Sequence, residues 1–255
     1  MLAVRQEFGM RVHCVSVMAA CCFVAALIVE LYLYRGKPER TWYEGRAAAE
    51  SVKTLSWRFA VGGEPFNIGS SSDAKLADLF LEQLKALFDV IKDLDLTPPD
   101  SSGEQITQRM RDIRASSLAG RKAAYDRGRV EDQQTWYSRK AMWNKRRAAR
   151  WTIAMLVVEI AGVVAGILKA VGSIEGDLLI LSGVIVATMT AWLQTKQHRT
   201  LATAYTVTAL ELASVRSKIA YQQNEADWAK FVGDAEEAFS REHTLWKASR
   251  GVQSI

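Results

Sequence analysis

"WTIAMLVVEIAGVVAGILKAVGSIEGDLLILSGVIVATMTAWLQT", residues Trp151 to Thr195, holds one formal charge in its first eighteen residues, Glu159, and none in its last eighteen. Eighteen helical residues extend roughly 27 Å, close to the ~30 Å hydrocarbon thickness of a bilayer. The two blocks therefore read as transmembrane helices, spans about 151–169 and 178–195, joined by the short link "KAVGSIEGD". Upstream, Val12 to Val29 has no formally charged residue and stays oily to Tyr34 past Glu30, which predicts a third span within residues 1–34. The apolar run continues well beyond Cys21, so this block is expected to be an uncleaved anchor and not a removed signal. An odd number of spans behind so short a tail raises the expectation that a partner helix belongs ahead of Met1.

Threading follows from the basic residues at span ends. Arg139, Lys140, Lys145, Arg146, Arg147 and Arg150 precede the second span with no acid among them, and Lys196 and Arg199 follow the third. The link between those spans carries one Lys against one Glu and one Asp, so it should face outward. No oily block separates Arg35 from Arg150, which puts the N-terminus outside and the C-terminus in the cytoplasm of a multi-pass inner-membrane protein. The net charge of +5 is modest. Attraction of the basic run to anionic headgroups, about 1 kcal/mol per residue near the surface, explains it more simply than nucleic-acid binding, which is not expected.

No catalytic or cofactor motif is present: there is no Walker loop, GxSxG elbow, HExxH or dinucleotide-binding glycine pattern. His13, His198 and His243 lack ligand spacing, and Cys14, Cys21 and Cys22 all lie in the first apolar block without disulfide or zinc spacing. Neither enzyme activity, nor a cofactor, nor a metal is expected.

The remainder reads as long helices. Prolines occur only at 38, 65, 98 and 99, and Val184 to Val232 has neither Gly nor Pro, so the third span is expected to leave the membrane as one long straight helix. Leu201, Tyr205, Leu212, Val215 and Ile219 give it an apolar seam, which Trp228, Phe231, Ala235, Phe239 and Trp246 extend past an expected break at Gly233. A cytosolic helical region, 35–128, holds an amphipathic helix that begins at the cap residues of "SSSD" (70–73), repeats Leu76, Leu79, Phe80, Leu84, Leu87, Phe88 and Ile91, and ends at the double proline Pro98-Pro99. Ser102 to Gln105 resembles a capping box opening another. The fold class is thus an all-α membrane protein: three transmembrane helices with a long-helix cytosolic bundle, the hairpin and C-terminal helices forming 129–255.

One helical stripe is unusual. Trp42, Arg46, Glu50, Lys53 and Trp57 fall at steps of four, four, three and four. Exposed i,i+4 ion pairs contribute only about 0.2–0.5 kcal/mol each. They become specific when tryptophans fence them against a neighbouring helix. A stabilised juxtamembrane helix and a regulatory interhelical contact are both consistent with this pattern.

Trp42, Gly45-Arg46-Ala47, Ala49-Glu50, Lys53, Trp57-Arg58 and Pro65-Phe66 resemble the motif of the SLATT superfamily, membrane effector domains associated with nucleotide-synthase and nucleotide-sensing conflict systems of bacteria. The second half resembles it again through Gln134, Trp136-Tyr137, Lys140-Ala141 and Asn144 ahead of the hairpin, then Tyr205, Leu210-Glu211-Leu212, Glu236, Phe239, Glu242-His243 and Trp246. The resemblance implies paired spans with a cytosolic helical extension that open as a homo-oligomeric pore on an immune signal, alongside a nucleotide-synthase or sensor partner system. One span, not two, precedes Trp42.

Within the hairpin, Glu159 stands near mid-bilayer, where an acid costs roughly 2.5–3.5 kcal/mol on insertion scales. Antiparallel folding is expected to bring it level with Ala187 and Thr188. Gly162 and Gly166 would then pack against Gly183, Ala187 and Ala191. Glu159 is either hydrogen-bonded in the seam or, with Thr188, part of a pore lining. A membrane-anchored scaffold that binds a protein partner without conducting is the alternative function.

Overall fold

A computed structural model describes residues 2–36, 38–91, 103–174 and 178–251, and among these the regular structure is all helix. The order is α1 (Leu2–Gly36), α2 (Pro38–Val61), α3 (Asp73–Ile91), α4 (Gln108–Ala115), α5 (Leu118–Tyr125), a π-helical turn (Asp126–Glu131), α6 (Asp132–Ala170), α7 (Leu178–Lys196), α8 (His198–Ile219) and α9 (Glu225–Gly251). Among the described residues, three helical stretches are long and apolar enough to cross a membrane: Ser16–Arg35, Leu118–Ala170 and Leu178–Ile219. Phe23, Leu27, Val157, Ile160, Ile180 and Val184 stand exposed along them. Water would drive such side chains into a core, whereas lipid tails are as apolar as they are.

The chain forms two compact units, with α2 and α9 contributing to both. The first comprises Met1–Ser56, Asp73–Gln105 and Glu236–Ile255. Here α3 buries Leu76, Phe80 and Leu84, spaced at four so that one stripe turns inward. Glu236, fully buried, accepts a hydrogen bond from the Thr54 hydroxyl at 2.9 Å, which offsets part of the cost of removing a carboxylate from water.

The second unit, Trp57–Ser72 and Ile106–Ala235, contains the hairpin and its own aromatic core. α2 ends where Gly62 takes the left-handed conformation (φ 75°), and the Gly63 amide closes the last turn onto Arg58 O at 2.8 Å. A Cβ at Gly63 would come within 2.4 Å of Val232, so only glycine lets this loop lie on α9. There the Glu64 amide donates to Ala229 O at 2.9 Å, and Trp228, fully buried, donates its indole N–H to Val61 O at 2.8 Å. Tyr125 packs edge-on to both Trp57 and Trp228.

Three local expectations change. α4 opens at Gln108 with Thr107 as its N-cap, its hydroxyl accepting from the Met110 amide, and not at the expected box from Ser102, which itself lies outside the described residues. Gly233 does not break α9. It is buried against Glu64, with only 3.2 Å between a Cβ there and that of Glu64, so its smallness serves close packing. The third span does not run on straight either: Gln197 adopts the left-handed conformation (φ 50°, ψ 35°) and divides α7 from α8. The backbone ladder still crosses this bend, from the Gln197 amide to Leu193 O and from the Leu201 amide to Gln197 O, both at 2.9 Å.

Candidate functional site

The hairpin is held in register by close contacts along its length. A Cβ at Gly162 would lie 2.3 Å from Ser182 Oγ, and one at Gly166 would lie 3.4 Å from the Leu179 side chain. Further along, Trp151 meets Trp192 with ring centroids 6.4 Å apart. Farther from the turn along α6, Asn144 meets His198. The turn closes through Gly172 (φ 75°), with the Ser173 amide donating to Leu168 O at 2.9 Å.

These pairs set the depth of the remaining residues. Interpolating between Trp151–Trp192 and Gly162–Ser182 brings Glu159 level with Val184 and Ile185, short of the expected Ala187 and Thr188. Glu159 is exposed, off the seam that buries Gly162, and flanked by exposed Leu156, Ile160 and Val163. The cause is angular: on a helix a step of three falls about 60° short of a full turn, enough to carry Glu159 out of a narrow contact.

The expected partner face of α7 also turns away. Gly183 has open space where a Cβ would stand, and Ala187 and Ala191 are exposed. Leu179 and Ser182 take their place opposite the α6 glycines. Thr188 is exposed, its hydroxyl donating to Val184 O at 2.9 Å within its own helix.

Where the hairpin emerges, polar and basic groups collect around the bend at Gln197. Asn144 Nδ2 donates to Lys140 O at 2.9 Å, leaving its Oδ1 to accept from His198 Nδ1 at 2.8 Å, which fixes the imidazole tautomer. Trp143 stands edge-on to His198, with Arg147 over its ring at 5.1 Å and Lys140 at 6.0 Å. Lys196 lies over Trp192 at 4.6 Å, and Arg199 donates to the Thr152 hydroxyl at 3.1 Å. Burial first, then the positive charges of Arg147 and Lys196, lowers the pKa of His198 below the usual histidine value, so the ring is neutral at pH 7.

Two SLATT models between them match nearly the whole chain. SMODS and SLOG-associating 2TM effector domain 3 matches residues 1–122, and SMODS and SLOG-associating 2TM effector domain 1 matches residues 125–246. The chain belongs to the SLATT family. Neither a curated protein nor a solved structure matches it. The membrane association and conflict-system effector class implied by the resemblance stand with the family. The domain 1 match contains the hairpin, and the junction between the two matches falls inside the continuous helical stretch Leu118–Ala170.

The opening stripe of the SLATT protein lies along α2 and divides between the units. In the first, Trp42 is exposed with Arg46 over its ring at 5.4 Å, while Glu50 and Lys53 are half-buried. In the second, Trp57 is half-buried against Tyr125 and fills the space a Cβ of Gly128 would need, at 2.6 Å. Trp136 and Tyr137 form an aromatic cluster with Tyr205 of α8, with centroids 5.8 Å apart in each case. Trp246 lies on α9, but its side chain is outside the described residues.

The sequence reading missed several groups. Arg114 Nη1 donates to Phe59 O and Phe66 O, each at 2.9 Å, and Arg121 pairs with Glu225. Both arginines are buried. Nothing in a helical sequence separates such an arginine from a solvated one. The Asn144–His198 pair had a signal: the two polar residues stand at matching distances from the hairpin turn, at the edge of otherwise apolar spans.

Proposed function

We propose that the protein acts as a non-enzymatic membrane effector whose hairpins associate to form a water-filled path lined by Glu159, with the basic junction on the cytoplasmic face of the inner membrane. The observation that carries this reading is the exposure of Glu159 among exposed Leu156, Ile160 and Val163. In a lone hairpin that carboxyl would face lipid at a cost of roughly 2.5–3.5 kcal/mol. Association that turns it toward water or toward a neighbouring copy removes the cost. Gly183, Ala187 and Ala191, exposed on α7, would let a second helix approach closely. A nucleotide-synthase or sensor system is the partner that the family description suggests.

The scaffold alternative draws on Trp42, an exposed aromatic with a cation across its face. It draws nothing from Trp228, which is fully buried and serves the core.

Cysteine accessibility separates the two. In a chain with Glu159 kept and Cys14, Cys21 and Cys22 replaced by Ala, Val163→Cys, one turn along the same face as Glu159, should react with a membrane-impermeant thiosulfonate, while Val157→Cys, on the opposite face, should not. An inert Val163→Cys beside a reactive Leu210→Cys would overturn the pore and leave the scaffold.

A further inference from the structure

The bend between α7 and α8 gathers positive charge from three helices and offers no anion to meet it. Residues 133–158 and 178–210 contain no Asp or Glu, yet they carry Arg139, Lys140, Lys145, Arg146, Arg147, Arg150, Lys196 and Arg199, all exposed. None of these eight makes an ion pair among the described residues.

Three of them are held in place near His198. Arg147 lies over Trp143, which itself touches the imidazole, and Lys196 lies over Trp192. Arg199 follows His198 directly and bonds the neutral hydroxyl of Thr152, which cannot balance its charge. Trp143 and Trp192 are each about half exposed (49% and 46%), and Trp192 lies within the last turn and a half of α7. Tryptophan at this position marks the headgroup level of a bilayer.

We propose that Arg147, Lys196 and Arg199 form a binding site for the phosphate of an acidic phospholipid in the adjoining leaflet, with Trp143 and Trp192 as its walls. A phosphodiester suits cations gathered around one bend, since guanidinium groups donate in pairs to phosphate oxygens. The lipid's own tails would then lie along the exposed apolar surface of the spans. A soluble anion would leave that surface unused. The site rests on the hairpin standing in a bilayer and not on its conducting, so it can fail while the pore stands, and the reverse.

The full chain in nanodiscs of neutral phosphatidylcholine, titrated with phosphatidylglycerol, gives the test. Each basic residue near a charged leaflet is worth about five-fold in binding. Arg147→Gln with Lys196→Gln should therefore weaken phosphatidylglycerol retention, read by native mass spectrometry, about 25-fold. Arg139→Gln with Lys218→Gln removes the same charge beyond a Debye length and should change retention little. In the same discs the NMR titration of His198 should move upward as the lipid shields Arg147 and Lys196, and should level off at a low acidic fraction.

Equal losses in the two double variants, or a His198 shift that grows without levelling, would replace the site by a diffuse surface field. Inorganic phosphate producing the same shift in purely neutral discs would overturn the assignment to a lipid.

Discussion

Replacing Gly162, Gly166 and Gly183, the glycines within the two helices of the hairpin, one at a time by alanine should give changes of opposite sign, because they meet different surroundings. Removing a helical glycine gains about 1 kcal/mol in intrinsic propensity. At Gly183 nothing lies within 4 Å of the new Cβ, so that gain should appear nearly whole. At Gly166 the nearest atom is a Leu179 methyl at 3.4 Å, an ordinary contact, and most of the gain should survive. At Gly162 the Cβ would come within 2.3 Å of Ser182 Oγ and 3.0 Å of Ser182 Cβ. The hydroxyl can rotate only by breaking its 2.7 Å bond to Leu179 O, and the Cβ moves only with the backbone of α7. Overpacking of this kind costs about 1–3 kcal/mol, and the lost hydrogen bond adds about 0.5–1.5 kcal/mol. After the propensity gain, Gly162→Ala should destabilise the hairpin by about 1–3 kcal/mol. Unfolding with sodium dodecyl sulfate in dilute maltoside micelles, where chains are separated, measures all three. A Gly183→Ala variant as damaged as Gly162→Ala would place the small face of α7 in the seam and refute the register described above.

Two further outcomes follow from the second unit. Trp228→Phe should cost about 1–3 kcal/mol in chemical denaturation by leaving the buried Val61 carbonyl without its indole donor, while Trp42→Phe, at an exposed position, should stay within about 0.5 kcal/mol; equal losses would contradict the core assignment. Because the folded state lowers the His198 pKa, the unfolded chain binds the proton first: the stabilisation is fully present above about pH 6.5 and is lost as pH falls toward the folded value. His198→Gln should flatten that acid limb, and an unchanged pH profile would mean that neither burial nor the charges of Arg147 and Lys196 act on the ring.

Composition carried the architecture because a bilayer imposes a simple rule. Two blocks of eighteen residues with a single charge between them leave few alternatives to a hairpin. Apolar spacing also identified inward-facing positions, among them Leu212, Ile219 and Trp228. What periodicity could not supply was rotation. A shift of one residue in register exchanges Ser182 for Gly183 opposite Gly162, and both are small enough to look suitable. The bend at Gln197 was hidden for a related reason: a non-glycine residue at positive φ costs roughly 1–2 kcal/mol, so sequence gives it a low prior. The contacts of Asn144 and Trp143 with His198 and of Arg199 with Thr152 accompany it on the neighbouring helix.

The exposed surface of the hairpin poses three separate demands, and they are unequal. Leu156, Ile160, Val163 and Val184 need no protein neighbour, because lipid tails are as apolar as another helix. Gly183, Ala187 and Ala191 permit a close neighbour, but being small they lose little if none arrives. Glu159 differs in kind: a carboxyl in hydrocarbon costs several times the thermal energy, because the lipid tails offer it no hydrogen-bond partner. Of the three, the carboxyl alone supplies a drive toward self-association, and the small residues decide which face can accept it. That ordering makes position 159, rather than the glycines, the site at which the proposed pore is best tested.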